Sequence, residues 1–248
     1  KKNIPLAGGF FILFPMVFLL NDLFINCFIV SIYLIGFFSD RKILVSPKNR
    51  FLIQCLLILL FVGIFDVKIN SSRLELFDIF LNNKPFAVCF SAFCLLILIN
   101  GSNFIDGLNG LCLGYYFLIL LFLIFIDIKN NFFFDNQGTI IFLISITILL
   151  IFNFFNQIFM GDNGAYILAM IFGVSLIDIF NNNSFISPFF IILLLWYPCF
   201  ELLFSIIRKF NFGNSPLDPD TNHLHQLIFF LISKKYKLKK IHSNNLAS

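Results

Sequence analysis

Eight apolar runs, separated by short polar breaks, divide the chain. They lie near Phe10–Leu20, Leu23–Phe38, Phe51–Phe65, Phe86–Ile99, Leu111–Ile126, Thr139–Phe152, Gly164–Phe180 and Pro188–Ile207. Within each run the apolar residues are continuous rather than alternating, which disfavours a closed barrel and leaves helices as the structure that satisfies its own backbone in lipid. Several runs are shorter than the roughly 20 residues a bilayer-spanning helix needs, so their ends are expected to extend into the flanking polar residues. Only Asn21 and Asp22 separate the first two. The pattern predicts an all-α, polytopic transmembrane bundle of about eight spans, in one membrane-embedded domain over residues 1–248. Leu224–Ile232 is too short to cross. Because the chain opens on Lys1-Lys2 and stops soon after that last apolar stretch, it reads as a fragment lacking helices at both ends. No cleavable signal peptide and no internal repeat is legible.

Composition agrees with this reading. Of 248 residues, 59% are hydrophobic and 12% charged, against about 45–50% and about 25% in an ordinary soluble domain. Disorder, a disulfide mini-protein and a soluble globular enzyme all fit poorly. Six cysteines lie in or beside the apolar runs without a C-x-x-C pair, as small apolar side chains do in membrane helices. The net charge of +4 is too small to imply nucleic acid. Its distribution is more informative. With eight spans, one side collects Lys1–Gly9, Ser39–Arg50, Asn100–Gly110, Asn153–Asp162 and everything from Arg208 on, with thirteen Lys and Arg; the other side holds Lys68, Arg73, Lys84 and Lys129. The positive-inside rule makes the first side cytoplasmic. Asp66–Pro85, the longest loop on the outer side, is expected to lie at the interface.

Acidic residues beside membrane spans are functional candidates by default. On the predicted cytoplasmic side these are Asp40, Asp106, Asp162, Asp218 and Asp220. The first three stand at span ends in different loops, where packing can gather them in one cleft. Asn100, Asn103, Asp106 and Asn109 recur every three residues, a spacing that puts polar groups on one helical face. An Asn-rich cap and turn explains the same spacing. Likewise Gly161-Asp162-Asn163-Gly164 reads as an ordinary turn when taken alone, and Asp40 as the surface partner of Arg41 and Lys42. His223 and His225 follow Asp218 and Asp220 in a Pro-rich loop; zinc is weakly supported there, and phosphate contact is the alternative. Glu201, inside the last span, is expected to support Arg208 or to face the bundle. Several carboxylates on one face suit a hard divalent cation that completes its shell with water and phosphates, and Lys48 and Arg50 are candidate phosphate holders. Walker A, GxGxxG and HExxH patterns are absent.

At these residues the chain resembles the polyprenyl-phosphate N-acetylhexosamine-1-phosphate transferases, glycosyltransferase family 4, a superfamily that includes undecaprenyl-phosphate GlcNAc-1-phosphate transferase. The resemblance runs from Ile4 to about Leu227 in the family's motif order. Its carriers are Ile4-Pro-Leu-Ala-Gly-Gly9, Gly36-Phe-Phe-Ser-Asp40 with Ser46-Pro-Lys-Asn-Arg50 and Gln54, Asn100-xx-Asn103-xx-Asp106-Gly-Leu-Asn109-Gly-Leu, Phe159-Met-Gly-Asp162, and Pro198-xx-Glu201 through His223-Leu-His225. It implies transfer of sugar-1-phosphate from a UDP-N-acetylhexosamine to polyprenyl phosphate with release of UMP, at the cytoplasmic face of the inner membrane. It further implies Mg²⁺, with Mn²⁺ as the alternative ion, held by Asp162. Asp40 and Asp106 become catalytic candidates, and Lys48, Asn100, Asn103, Asn109, His223 and His225 substrate-binding ones; a homodimer is left open. The chain departs from the family pattern at Ser39, where two adjacent Asp are usual, at Asn109, where many members have Asp, at Thr221, at Gln226, and in a stretch Asn153–Asp162 one residue shorter. These departures motivate a competing reading: a catalytically impaired homologue, or a transporter or assembly subunit on the same scaffold.

Overall fold

The computed structural model describes residues 4–20, 22–126, 132–133, 135–213, 215, 223–236 and 244. Asp218, Asp220, Thr221, Lys1, Lys2, Lys129 and the last lysines, from 237 on, lie outside the described residues. The described helices are α1 (Gly8–Leu19), α2 (Leu23–Asp40), α3 (Pro47–Phe65), α4 (Glu75–Leu81), α5 (Lys84–Ile105), α6 (Leu111–Phe125), α7 (Asn136–Phe154), α8 (Gly161–Asn182), α9 (Pro188–Leu194), α10 (Trp196–Asn211) and α11 (Leu224–Tyr236). The polar breaks between apolar runs become helix caps. Asp22 accepts from the amides of Phe24 and Ile25, Ser46 from Asn49, Asn83 from Phe86, Asp135 from Gly138 and Ser187 from Phe189. Each satisfies backbone donors that the first turn leaves free.

The protein is thus an all-α membrane bundle, with one helical element or pair for every apolar run. By length and composition, α2, α3, α5, α7 and α8 can each cross a membrane, and α9 with α10, bent by 75°, adds a sixth if the pair counts as one span. The helices α1 and α6 carry apolar runs but are shorter, so the expected eight crossings reduce to five or six of full length among the described residues. The bend falls at Leu195, which leaves the helical region of backbone space. The Asp66–Pro85 loop holds a helix the apolar pattern did not show, α4. Its preceding turn is tied by Ser71 and Ser72, which donate to Asp78 at 2.6 and 2.7 Å.

Helix α8 is the axis of the bundle. Its spanning window is 89% buried, as expected for a helix hydrophobic all round. Small residues let its neighbours approach. A Cβ at Gly173 would meet Leu95 Cδ2 at 2.5 Å, one at Gly36 of α2 would meet Asn163 Cα at 2.3 Å, and one at Gly8 of α1 would meet Met160 Cα at 2.6 Å. Small residues at such crossings are how membrane helices pack without a hydrophobic drive between them. The strand-like segment before α1 is pinned to the start of α8: the Gly8 amide donates to Phe159 O, and the Phe159 amide to Pro5 O, both at 3.0 Å.

Helix order sorts the polar residues to two ends. At one end, Asp66 pairs with Lys68 and Lys84 at 2.6 and 3.2 Å, and Asn181 at the far end of α8 donates to Lys68 O at 2.7 Å. The opposite end gathers the C-termini of α2, α5, α7 and α10 with the N-termini of α3, α6 and α8. That is the acidic end.

Candidate active site

The site grows from the first turn of α8. Its amides would be unsatisfied in the middle of a packed bundle, and two carboxylates from the ends of other helices meet them. Asp40, the last residue of α2, accepts from the Asp162 amide at 3.0 Å through Oδ1, and through Oδ2 from the Asn163 amide at 3.2 Å and Asn163 Nδ2 at 2.5 Å. The Gly161 backbone lies beside Asp106 and favours its charged form. Negative charge at a helix N-terminus is favoured by the aligned peptide dipoles. Gly161 holds φ +73°, a left-handed backbone, and a Cβ there would lie 2.7 Å from Asp40 Oδ2. Asn163 also accepts from the Gly9 amide at 2.8 Å. One asparagine therefore joins α1, α2 and α8. Asp40 consequently does not serve as the surface partner of Arg41 and Lys42: α8 takes its oxygens, and Arg41 stacks over the Phe37 ring with 5.2 Å to its centroid.

Asp162, on the same turn, collects donors from three other helices. Its Oδ1 accepts from Asn103 Nδ2 at 2.6 Å. Its Oδ2 accepts from Ser39 Oγ at 2.5 Å and from Arg50 Nη1 at 3.1 Å, and Arg50 also donates to Ser39 Oγ. The Arg50 and Asp162 side chains are each 25% exposed, which leaves the pair within reach of a ligand. Asp40, Asp106 and Asp162 thus share one end of α8, with Arg50 the cation among them. Burial, then the charges of Asp162 and Asp40, push the Asp106 carboxyl well above its usual range. Excess negative charge on hard oxygen donors fits a divalent cation. Among the described residues no three His, Cys, Asp or Glu side chains converge as a ready-made metal cage. Mg²⁺ needs none, since it takes one or two protein carboxylates and fills its shell with water and phosphate.

The Asn100–Gly110 segment does not act as one polar face. Its last helical turn ends at Ile105, so the three-residue spacing holds for Asn100 and Asn103 and breaks after Asp106. Asn100 Nδ2 donates to Gln54 at 3.2 Å and Leu96 O at 2.9 Å. Asn103 reaches Asp162 and Asp106 reaches Gly161, whereas Asn109 Nδ2 donates to Asn156 Oδ1 at 2.5 Å. The Gly110 amide donates to Asn153 Oδ1 at 2.6 Å. Asn109 and Asn153 therefore splice this loop to the end of α7, a structural link the spacing alone could not reveal.

His223 and His225 come to the same end from α11. Their rings stack at 5.8 Å and 6°, and Phe104 packs on His223 at 4.9 Å. His225 is buried, its Nε2 has no hydrogen-bond partner among the described residues, and a Cβ on Gly107 would sit 2.4 Å from that atom. Burial and then His223 push the His225 imidazole down to about 4. Glu201 takes His223, not Arg208: Nδ1 of His223 lies 3.0 Å from Oε2, and Arg208 stacks over Phe204. Seven residues along a helix separate Glu201 from Arg208 by about 10 Å, too far for a pair. Lys48 is exposed on the first turn of α3, and it is Arg50 that reaches the carboxylates. Residue types alone gave no sign of Ser39, Asn153, Asn156 or Asn163 as site members. For Asn163, the signal was present in the glycines at 9 and 36, which make room for it.

Comparison with known proteins places this architecture. Residues 23–180 match the family described as Glycosyl transferase family 4. The chain is similar to a decaprenyl-phosphate N-acetylglucosaminephosphotransferase of Mycolicibacterium smegmatis, 29% identical over 52% of this chain and 37% of that one. It is 28% identical to a probable undecaprenyl-phosphate N-acetylglucosaminyl 1-phosphate transferase of Bacillus subtilis, over 82% and 57%, and 29% identical to a phospho-N-acetylmuramoyl-pentapeptide-transferase of Dictyoglomus turgidum, over 68% and 57%. The chain spans between about a third and somewhat over half of these relatives' lengths. With the family match covering well over half of its residues, including α2 through α7 and all but the last two residues of α8, the chain belongs to glycosyl transferase family 4.

Proposed function

We propose that the protein transfers sugar-1-phosphate from a UDP-N-acetylhexosamine to a polyprenyl phosphate and releases UMP, at the cytoplasmic face of the inner membrane. The observation that carries this reading is the convergence of Asp40 from the end of α2 and Asp106 from the end of α5 on the first turn of α8, which carries Asp162, with Arg50, Asn103 and Ser39 around them. The named relatives, which use polyprenyl phosphates and phospho-sugars, support it. The competing transporter reading calls for polar groups at mid-depth beside broken helices; the α9–α10 pair is bent by 75°, but Asp40, Asp106 and Asp162, the carboxylates of the candidate site, lie together at one end of the bundle.

In the reaction an oxygen of the polyprenyl phosphate attacks the phosphorus bonded to the sugar oxygen, and the phosphoanhydride bond to UMP breaks. A phosphate monoester is already largely dianionic at neutral pH, with its second pKa near 6, so the attacking oxygen needs little help from a base. The harder task is bringing two anions together. Mg²⁺, or Mn²⁺, held by Asp162 with Asp106 beside it, would supply the charge neutralisation that phosphoryl transfer requires. Arg50 contributes a guanidinium to a phosphate oxygen. Asp40 acts by position, since all its bonds go to the turn that presents Asp162. Asn103 orients Asp162, and His223 meets the donor from the α11 side. Asn100 and Asn109 shape the binding loop from behind.

The direct test is transfer of label from UDP-N-acetylhexosamines to undecaprenyl phosphate by the full-length protein in detergent with Mg²⁺, beside an active relative as control. Labelled lipid and free UMP are expected; no lipid product from any such donor refutes the reading. The same assay separates the two basic candidates. Arg50→Ala is expected to lower kcat/KM by about 10²-fold, the scale of losing one charge-stabilising donor. Lys48→Ala is expected to stay within about 2-fold, because its side chain is exposed away from the carboxylates.

A further inference from the structure

Glu201 is a buried acid on α10 that the reaction above does not use. Its side chain and that of His223 are 5% and 6% exposed. Both carboxylate oxygens are committed: Oε2 lies 3.0 Å from His223 Nδ1, and Oε1 accepts from the Leu224 amide at 3.0 Å. An ionised carboxylate only accepts hydrogen bonds, so the contact puts the ring proton on Nδ1. The Leu224 bond anchors the backbone that carries the ring. Phe104 packs on the ring, and the parallel His225 ring lies beside it. Tautomer, plane and attachment are therefore all fixed. His223 Nε2 has no partner among the described residues. Phe104 is the neighbour of Asn103, so this nitrogen belongs to the end of the bundle where Asp106 and Asp162 meet. His225 cannot do the same work: its Nε2 is enclosed against Gly107.

We propose that Glu201 is a positioning residue for the transfer reaction: it sets the tautomer and ring plane of His223 so that Nε2 is presented to the sugar nucleotide. The inference rests on the transferase reading for its consequence, but the Glu201–His223 geometry is independent of it. A histidine without this partner divides its population between tautomers and rotamers, and only part of it is competent. Loss of such an orienting partner typically costs 10–100-fold in activity at comparable histidine sites.

The experiment compares Glu201→Gln, Glu201→Asp and His223→Asn, singly and in combination, in the full-length protein. Glu201→Gln keeps the volume but offers a single acceptor oxygen, and its amide donor drives the ring proton toward Nε2. Its kcat is expected to fall about 50-fold, near the upper part of that range, with KM for donor and lipid within about 3-fold. Glu201→Asp, which keeps the carboxylate, is expected to recover part of the rate. Adding Glu201→Gln to His223→Asn is expected to change little, because the effect passes through the ring. Losses that multiply in the double variant, or an unchanged kcat in Glu201→Gln, overturn the proposal. The chain has three histidines, so His223 can be assigned in a ¹⁵N spectrum by its disappearance in His223→Asn. Nδ1–H is expected in the parent and a shift toward Nε2–H in Glu201→Gln. If the parent protein transfers no sugar phosphate, the functional reading fails, and this spectrum still decides the dyad: an Nε2–H ring in the parent overturns it.

Discussion

Asp162→Asn is expected to reduce transfer by about 10³-fold while the protein still folds. The carboxylate collects donors from three other elements: Ser39 at the end of α2, Arg50 on α3 and Asn103 on α5. An asparagine has one acceptor oxygen and brings an NH₂ donor. If Oδ1 stays toward Ser39 and Arg50, the new donor faces Asn103, which can turn its own amide to present an oxygen. The hydrogen bonds are thus largely recoverable, and the scaffold survives. The charge is not recoverable. Arg50 loses its ion-pair partner, and the pocket loses a hard anionic ligand for a divalent cation. Removing a single preorganised electrostatic contact costs about 10²–10³-fold in comparable sites, and here the charge and the cation's ligand go together. The check is initial rate at saturating donor and lipid, with thermal melting as the folding control. A variant retaining more than a tenth of the parent rate would remove Asp162 from the reaction.

Gly36→Ala is expected to damage both stability and activity without touching any reacting group. A Cβ at position 36 would lie 2.3 Å from Asn163 Cα, 2.5 Å from its amide nitrogen and 2.8 Å from the Asp162 carbonyl carbon. All three are backbone atoms of α8, so no flexible side-chain tip can yield. The helices must separate. Overpacking of this kind typically costs 1–3 kcal/mol. The activity loss is expected to exceed what stability alone predicts, because Asp40 sits one turn further along α2 and its bonds to α8 are 2.5–3.2 Å long. Moving α2 outward breaks them and releases the turn that presents Asp162. Gly114→Ala is the matched control: nothing lies within 4 Å of a Cβ there, and alanine favours a helix interior over glycine by about 1 kcal/mol. Melting temperatures and transfer rates of the two variants check the argument. Equal behaviour would mean that α2 and α8 are not in this close contact.

Much of this was legible in the sequence because lipid imposes a simple rule on the chain. Each continuous apolar run became a helix, and the polar residues bounding the runs became caps, as at Asp22, Ser46, Asn83, Asp135 and Ser187. Helix count then sorted Asp40, Asp106 and Asp162 to one end. Composition could not show the 75° break at Leu195, since the apolar residues continue unbroken across it from Ile191 to Tyr197. Nor could spacing separate the duties of the asparagines. The periodicity of Asn100, Asn103, Asp106 and Asn109 pointed to one shared face, but the helix stops at Ile105 and Asn109 turns to Asn156 instead. Hydrogen bonds such as Asn163 to Gly9, or Glu201 to His223, join residues far apart in the chain. They depend on which helices are neighbours, and a single sequence carries little record of that. The departure at Ser39 has a local explanation: its hydroxyl joins Arg50 to Asp162.

The most direct test of the shared pocket is cross-linking. Ser39 and Asn103 sit on different helices, α2 and α5, yet each donates to an oxygen of the same Asp162 carboxylate. With Ser39→Cys and Asn103→Cys introduced together into a cysteine-free full-length protein, a short bifunctional thiol reagent in native membranes is predicted to link the two with high yield. A pair in which one position is replaced by Lys84→Cys, at the other end of the bundle, is predicted to give none. Failure of the 39–103 link while both thiols react singly, or labelling of the two positions from opposite membrane sides, would contradict the convergence on which the account stands.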